Sequence, residues 1–247
     1  MIICQCDGTV AGIFTAVFEA WSIDINNTSI AAGEMVNREW FAEYRMVETD
    51  LAKAERVASA IRKKISRRAY EMVYTACLTK DEDRGRAVLG FLRKGFRIGE
   101  AVADDLHDES VMKVYKLSRR CLREYEHYRE FLRFRRQDRF LLAKVDPECD
   151  ILPMLADFFQ GRLMQEHFMI VDVNRNIAAL HTAGQEYVIT EVDAEQINDL
   201  AYDEKEEQIR LLWEVFEKTI AIEARINEKL QKQNMPIRYR KYMDIRR

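Results

Sequence analysis

Residues 131–175 read FLRFRRQDRFLLAKVDPECDILPMLADFFQGRLMQEHFMIVDVNR, and the period of their apolar residues changes in an orderly way. Leu132 and Phe134 alternate with Arg133 and Arg135. After Gln137-Asp138 the alternation resumes with Leu141, Ala143 and Val145, the period of two expected of a half-buried hairpin. Asp146-Pro147 stops the second strand, because proline has no N–H to give to a ladder. Asp150 is placed to cap a helix whose Ile151, Leu152, Leu155, Phe158 and Phe159 share one broad face. Gly161 ends that helix, and Phe168 to Val173 returns to a strand. The stretch predicts strand, strand, helix, strand.

Outward from there the sequence predicts further elements. Residues 2–6, IICQC, read as a strand followed by the turn Asp7-Gly8, with Thr9 capping a helix built on Val10, Ile13, Phe14, Val17, Phe18 and Trp21. Such an entry either holds a phosphate at the helix N-terminus or is an ordinary βα turn, and the second is the simpler reading. Short elements follow around Ile30–Ala32 and Trp40–Tyr44. From Thr49 to Tyr128 amphipathic helices dominate, the last built on Val111, Val114, Tyr115, Leu117 and Leu122. The basic run Arg62, Lys63, Lys64, Arg67 and Arg68 is either a phosphate contact or, more simply, a solvated helix face. Beyond the hairpin–helix–strand unit, Ile177–Leu180 and Tyr187–Thr190 form two strands about Gly184. Residues 186–207 are acidic with Lys205 as the only base, 209–226 are an amphipathic helix, and 225–247 reverse the charge.

Together these predict an α+β protein: a small, mainly antiparallel sheet with a helix-rich insert and a C-terminal helix plus docked basic tail. The expected organisation is one compact domain over 1–247. Its sheet-containing core spans about 1–21 and 129–192, the insert about 49–128, and the C-terminal helix and tail 204–247. A chain of 247 residues with 48% apolar residues is ample for such a core. The net charge of −3 excludes a uniformly basic nucleic-acid binder but not a local basic face. No apolar run approaches the ~20 residues that span a bilayer, and no secretory leader is evident, so the expectation is a cytoplasmic protein with no membrane partner.

No catalytic constellation stands on spacing alone. Cys4, Cys6, Cys77, Cys121 and Cys149 contain no C-x-x-C and read as buried free thiols rather than a metal site. No two of His107, His127, His167 and His181 have the spacing of a metal pair on one helix face. His181 reads as a hydrogen-bonded strand histidine ahead of a general base. Neither a metal nor a cofactor is therefore expected. Asp150 and Asp172 are the candidate catalytic pair, because a helix cap and a strand end meet at one sheet edge, although Asp150 is more simply the cap. Arg133, Arg135, Arg136 and Arg139 among Phe131, Phe134 and Phe140 are the strongest nucleic-acid signal: guanidinium groups neutralise phosphates while rings stack on bases. The same alternation also fits aromatic residues inward and arginines outward.

Four segments carry a resemblance: CDGTVAGIFTAVFEAW at 6–21, FLRF at 131–134, VDPECDILPMLADFF at 145–159 and LLWEVFEKTIAIEARINEKLQKQNMPIRYRKYM at 211–243. They are similar to a bacterial family whose members are labelled, by inference, DNA metabolism or DNA repair proteins of unknown mechanism. Its genes sit beside one for a radical-SAM DNA modification protein, and a related domain extends some uracil-DNA glycosylases at the C-terminus. The similarity runs from end to end and is loosest across 22–120; the tail motif is its most specific part. Asp150, Arg162, Asp172, Arg175, Glu223, Arg225, Asn227, Gln231, Arg238 and Tyr239 match the family pattern. Cys6 and Trp21 stand where tyrosines are usual, and Cys149, Phe158 and Val171 where histidines are usual, so any role of those histidines is closed to this chain.

The resemblance implies an accessory protein of DNA repair or base modification that binds DNA through phosphate contacts and works with a radical-SAM enzyme. The expected contact residues are Arg133 and Arg135, from the hairpin pattern, and, from the resemblance, Arg162, Arg175, Arg225, Asn227, Gln231, Arg238 and Tyr239. The alternatives are an enzyme acting directly on a nucleobase or nucleic-acid backbone, and an interaction protein without nucleic acid. The tail is expected to dock, since Leu230, Met235, Pro236, Ile237, Tyr239 and Tyr242 are too apolar for a free basic segment.

Overall fold

A computed structural model describes residues 1–33, 41–137 and 139–193, with Pro236 and Tyr239. The expected C-terminal helix and tail otherwise lie outside the described residues. The fold is α+β, with two sheets among the described residues, and the chain divides into two compact units, 1–123 and 124–247.

In the first unit β1 (Ile2–Cys6) is the centre of a three-stranded sheet in the order β2-β1-β3, with β2 at Thr28–Ala32 and β3 at Glu43–Met46. Both pairings are parallel, Cys4 lying opposite Ile30 on one side and Arg45 on the other. The near-continuous apolar run IICQC suits a central parallel strand, which is covered on both faces. This separates β1 from the strands of 129–192, with which the sequence pattern groups it in one core, and makes the first sheet parallel rather than antiparallel. An apolar strand followed by a βα turn does not reveal which strands it pairs with.

Helix α1 (Val10–Ile23) forms the crossover between β1 and β2. It begins as expected at Thr9, whose side chain accepts from Gly12 N. Helices α2 (Leu51–Lys64), α3 (Arg67–Cys77) and α4 (Arg84–Ile98) follow, capped at the first two by Asp50 and Ser66. Helix α5 (Glu109–Phe131) is capped by Asp108, whose Oδ1 accepts from Ser110 N and Val111 N. The core joins Ile13, Phe14, Val17, Ile61, Val73, Val88, Phe91 and Leu92.

The second unit carries the strand, strand, helix, strand pattern. Its sheet has the order β4-β5-β6-β7-β8. These strands are Arg135–Gln137, Phe140–Val145, Phe168–Asp172, Ile177–His181 and Val188–Glu191. Pairing is antiparallel except between β5 and β6, which run parallel because α6 (Leu152–Arg162) crosses between them. Leu142, Val171 and Ala178 pack on one face with Phe140 and Met169. Phe134 sits edge-on to Phe159 of α6 and to Phe168 of β6, with centroids 5.0 and 5.7 Å away. Among the described residues no helix is long and apolar enough to cross a membrane.

Two helical glycines separate packing from propensity. Gly85 of α4 faces β2, where an added Cβ would lie 2.8 Å from both Cγ2 and the carbonyl oxygen of Ile30, whereas a Cβ on Gly161 of α6 would meet nothing within 4 Å. Glycine to alanine within a helix ordinarily stabilises by roughly 0.5–1 kcal/mol. Gly161→Ala should follow that rule in urea unfolding. Gly85→Ala should reverse it, costing about 1–3 kcal/mol through overpacking against backbone.

Candidate functional site

Strands β5 and β6 end together, Val145 opposite Asp172, so the loop after β5 and the turn after β6 leave the sheet at one edge. Carboxyl ends of parallel strands are where open sheets commonly place their sites. Asp172 is fully buried there. Its Oδ1 accepts from Asn174 N at 3.0 Å and Arg175 N at 3.3 Å, and its Oδ2 from Arg175 Nη1 at 2.7 Å. The same guanidinium reaches across to the β5–α6 loop, donating from Nη1 to Pro147 O at 3.1 Å and from Nη2 to Glu148 O at 2.8 Å. Asn174 Nδ2 also donates to Pro147 O, at 3.1 Å. Arg175 Nε lies 3.8 Å from Asp150 Oδ1. Burial pushes the Asp172 carboxyl up, opposed by the Arg175 guanidinium and the two backbone N–H groups.

The other side of the loop is held from α5. Glu124, 3% exposed, accepts Glu148 N at Oε1 (2.9 Å) and Cys149 N at Oε2 (2.7 Å). Tyr128 donates its hydroxyl to Asp146 Oδ1 at 2.9 Å and accepts from Asp146 N at 3.3 Å. Burial, with Asp146 beside it, pushes the Tyr128 phenol up. Tyr239, 3% exposed, closes this face: its ring stands edge-on to Tyr128 at 5.1 Å and 4.9 Å from His127. That part of the C-terminal segment is docked, as its apolar character predicts.

Asp150 and Asp172 therefore do come to one sheet edge, but the cation between them is Arg175. Asp150 is not the helix cap: α6 begins after Ile151, with Pro153 in its first turn and no side-chain cap. Asp150 stands one residue before the capping position, and its Oδ1, buried with no hydrogen-bond partner among the described residues, makes only the long ion pair with Arg175. Of the expected contact residues, Arg133 is exposed, Arg135 is half-buried on β4 and Arg162 is exposed at the end of α6. Arg225, Asn227, Gln231 and Arg238 lie outside the described residues. Glu124 is the residue that sequence reasoning missed. It follows Leu117 and Cys121 and precedes Tyr128 at helical spacing, all four buried, so an acid on an apolar face was the available signal.

The five cysteines are free and buried. His181 is the hydrogen-bonded strand histidine expected, its Nδ1 2.9 Å from Glu166 O and its ring stacked on Phe168. Among the described residues no group of three His, Cys, Asp or Glu side chains is placed to hold a metal ion.

The turn after β1 resolves the other sequence alternative. Asp7 Oδ1 accepts from Thr9 N at 2.9 Å and Thr9 Oγ1 at 2.8 Å, and its Oδ2 from Thr49 Oγ1 at 2.7 Å. With a carboxylate already on the α1 N-terminus, the turn is an ordinary, tightly packed βα junction. Gly8, at φ +83°, lets the chain pass close to the buried Arg84, which donates to Gly8 O at 3.2 Å.

The family model DUF4130, a domain of unknown function, matches residues 82–244. The chain belongs to that family. No curated protein matches it. The DUF4130 segment opens just before α4 and contains all but the last three residues of the second unit, including Glu124, Asp150, Asp172 and Arg175, whereas β1 to α3 precede it.

Glu124→Ala removes the acceptor of the Glu148 and Cys149 N–H groups, and the loss at the buried Cys149 amide alone costs about 1–3 kcal/mol. Urea unfolding should register that loss, with Glu124→Gln intermediate because its amide oxygen still accepts. At the first-unit turn, burial pushes the Asp7 carboxyl up, but the bonds from Thr49 and Thr9 outweigh it and hold it below the usual carboxylate range. Its stabilisation is complete above that range and is lost as pH falls through the lowered folded value. The stability difference between the wild-type protein and Asp7→Asn should therefore shrink on acidification; a constant difference down to strongly acid pH would contradict this.

Proposed function

We propose that this DUF4130 protein is an accessory protein of DNA repair or DNA base modification. It binds nucleic acid through the arginine-bearing edge of the second-unit sheet. The carrying observation is the side-chain division along residues 133–139. Phe134 is seated against Phe159 and Phe168, while Arg133, Arg136 and Arg139 are exposed beside the edge strand β4. Arginines projecting from a sheet edge suit phosphate contacts, which position a protein on nucleic acid without reading sequence. Arg162, exposed at the C-terminal end of α6, is a further contact. Arg175 has its guanidinium committed to the loop, so its role in this reading is to shape the site. The radical-SAM partner and the kinship to a uracil-DNA glycosylase extension belong to this proposal through the sequence resemblance alone.

Direct catalysis through Asp172 is the weaker reading. A general base must reach the proton it takes, and Asp172 is buried with both oxygens engaged.

Replacing Arg133 and Arg135 by alanine should weaken binding to duplex and single-stranded DNA. The slope of log affinity against log salt should fall by roughly 0.7–0.9 for each phosphate no longer neutralised. A folded variant with unchanged affinity and slope would contradict the proposed face, and a wild-type protein giving no salt-dependent shift at all would favour an interaction protein without nucleic acid.

A further inference from the structure

We infer that the groove between α1, α2 and the last turns of α4 is a nucleotide site, taking one base and its attached phosphate. The groove encloses about 430 Å³ and is lined by Phe18, Trp21, Phe96, Arg56 and Lys64, with Val57 and Ala60 among its apolar residues. That volume lies within the roughly 300–1,000 Å³ of small-ligand sites. Trp21 is 41% exposed and stands edge-on to Phe96, their centroids 5.2 Å apart. The Arg56 guanidinium lies 4.9 Å from the centroid of Phe18.

Charge pairing in the surrounding helices, taken with the groove lining, picks out two cations, since Lys63, Arg93 and Arg97 are also without a carboxylate partner among the described residues but do not line the groove. Lys53, Arg62, Arg67 and Arg68 are paired with Glu19, Glu55, Glu71 and Asp104. Arg56 and Lys64 have no carboxylate partner among the described residues, and both line the groove, which has no acidic side chain in its lining. Three aromatic rings beside two uncompensated cations define the ligand chemistry. An apolar molecule leaves the cations unused, and inorganic phosphate leaves the rings unused. A base with its phosphate uses both, the base stacking on an exposed ring and the phosphate meeting the guanidinium and ammonium groups. Every residue involved belongs to the first unit and precedes or barely enters the DUF4130 segment, so the inference stands without the arginine edge proposed above.

Isothermal titration of the full-length protein with deoxyadenosine 5′-monophosphate, deoxyadenosine, inorganic phosphate and a short 5′-phosphorylated oligodeoxyadenylate tests it. The mononucleotide should bind, with the nucleoside and phosphate each weaker. Trp21→Ala, at a half-exposed position and checked for an unchanged fold by circular dichroism, should weaken binding roughly 5- to 150-fold, the range for removal of one base–aromatic stack. Lys64→Glu should weaken the nucleotide but leave the nucleoside unchanged. Arg133→Ala/Arg135→Ala should leave mononucleotide binding intact, which separates this site from the edge of the other unit. Competition by the oligonucleotide that is abolished by Trp21→Ala assigns the ligand to a strand terminus, and binding of the mononucleotide alone assigns it to the free nucleotide; either supports the site. Absence of binding by both at millimolar concentration overturns it, as does binding indifferent to Trp21→Ala and Lys64→Glu, or displacement by an acidic peptide with no binding of nucleotide.

Discussion

The second unit depends on one buried ion pair. Asp172 ends β6 inside the protein, where an uncompensated carboxylate is costly, and Arg175 three residues later answers it at 2.7 Å. The turn that makes this possible is local: Asp172 Oδ1 gathers the Asn174 and Arg175 amides, folding the chain back so that the guanidinium lies over its own strand end. A guanidinium has five N–H donors in a fixed plane, and here they are shared among Asp172, Pro147 O and Glu148 O. The pair is thereby more than a stabilising interaction, since it ties the end of β6 to the loop that follows β5. A lysine would keep the charge and lose the plane.

Because Glu124 and Tyr128 hold the same loop from α5, its polar backbone is satisfied from two directions and its shape is over-determined. Two Glu124 oxygens on consecutive amides fix the peptides of Glu148 and Cys149. What the arrangement leaves on the surface is the half-exposed Asp150 at the edge of the ion pair. Rigid support of this kind is what a binding site built on a loop requires. The arginines of the hairpin are set differently: Arg133, Arg136 and Arg139 are exposed and Arg135 is half-buried, while Phe134, just ahead of β4, is seated against Phe159 and Phe168.

Local patterns were well legible in the sequence. The switch from period two to helical spacing gives β5, α6 and β6 at nearly their observed bounds, and Thr9, Gly184 and the cysteines behave as their chemistry dictates. Asp150 and Asp172 also come to one edge, on either side of Arg175, because a parallel βαβ crossover brings successive strand ends together. Two things were not legible. Residues 2–6 offer an apolar strand but nothing that selects β2 and β3 over the later strands as partners. An aspartate before α6 suits a cap locally, but the helix begins after Ile151, one residue further on, and Asp150 is left in a long ion pair with Arg175, 25 residues later in the chain. Glu124 belongs between these cases, since its place on a buried helix face was readable but the amides it holds were not.

The central claim is that buried side chains, rather than regular secondary structure, hold the β5–α6 loop. Native-state hydrogen exchange of the Glu148 and Cys149 amides tests it most directly, because both amides end on Glu124. The account predicts that they exchange as slowly as the ladder amides of β6, through the same cooperative opening of the second unit. Exchange at the rate of a freely solvated loop, while β6 stays protected, would contradict it.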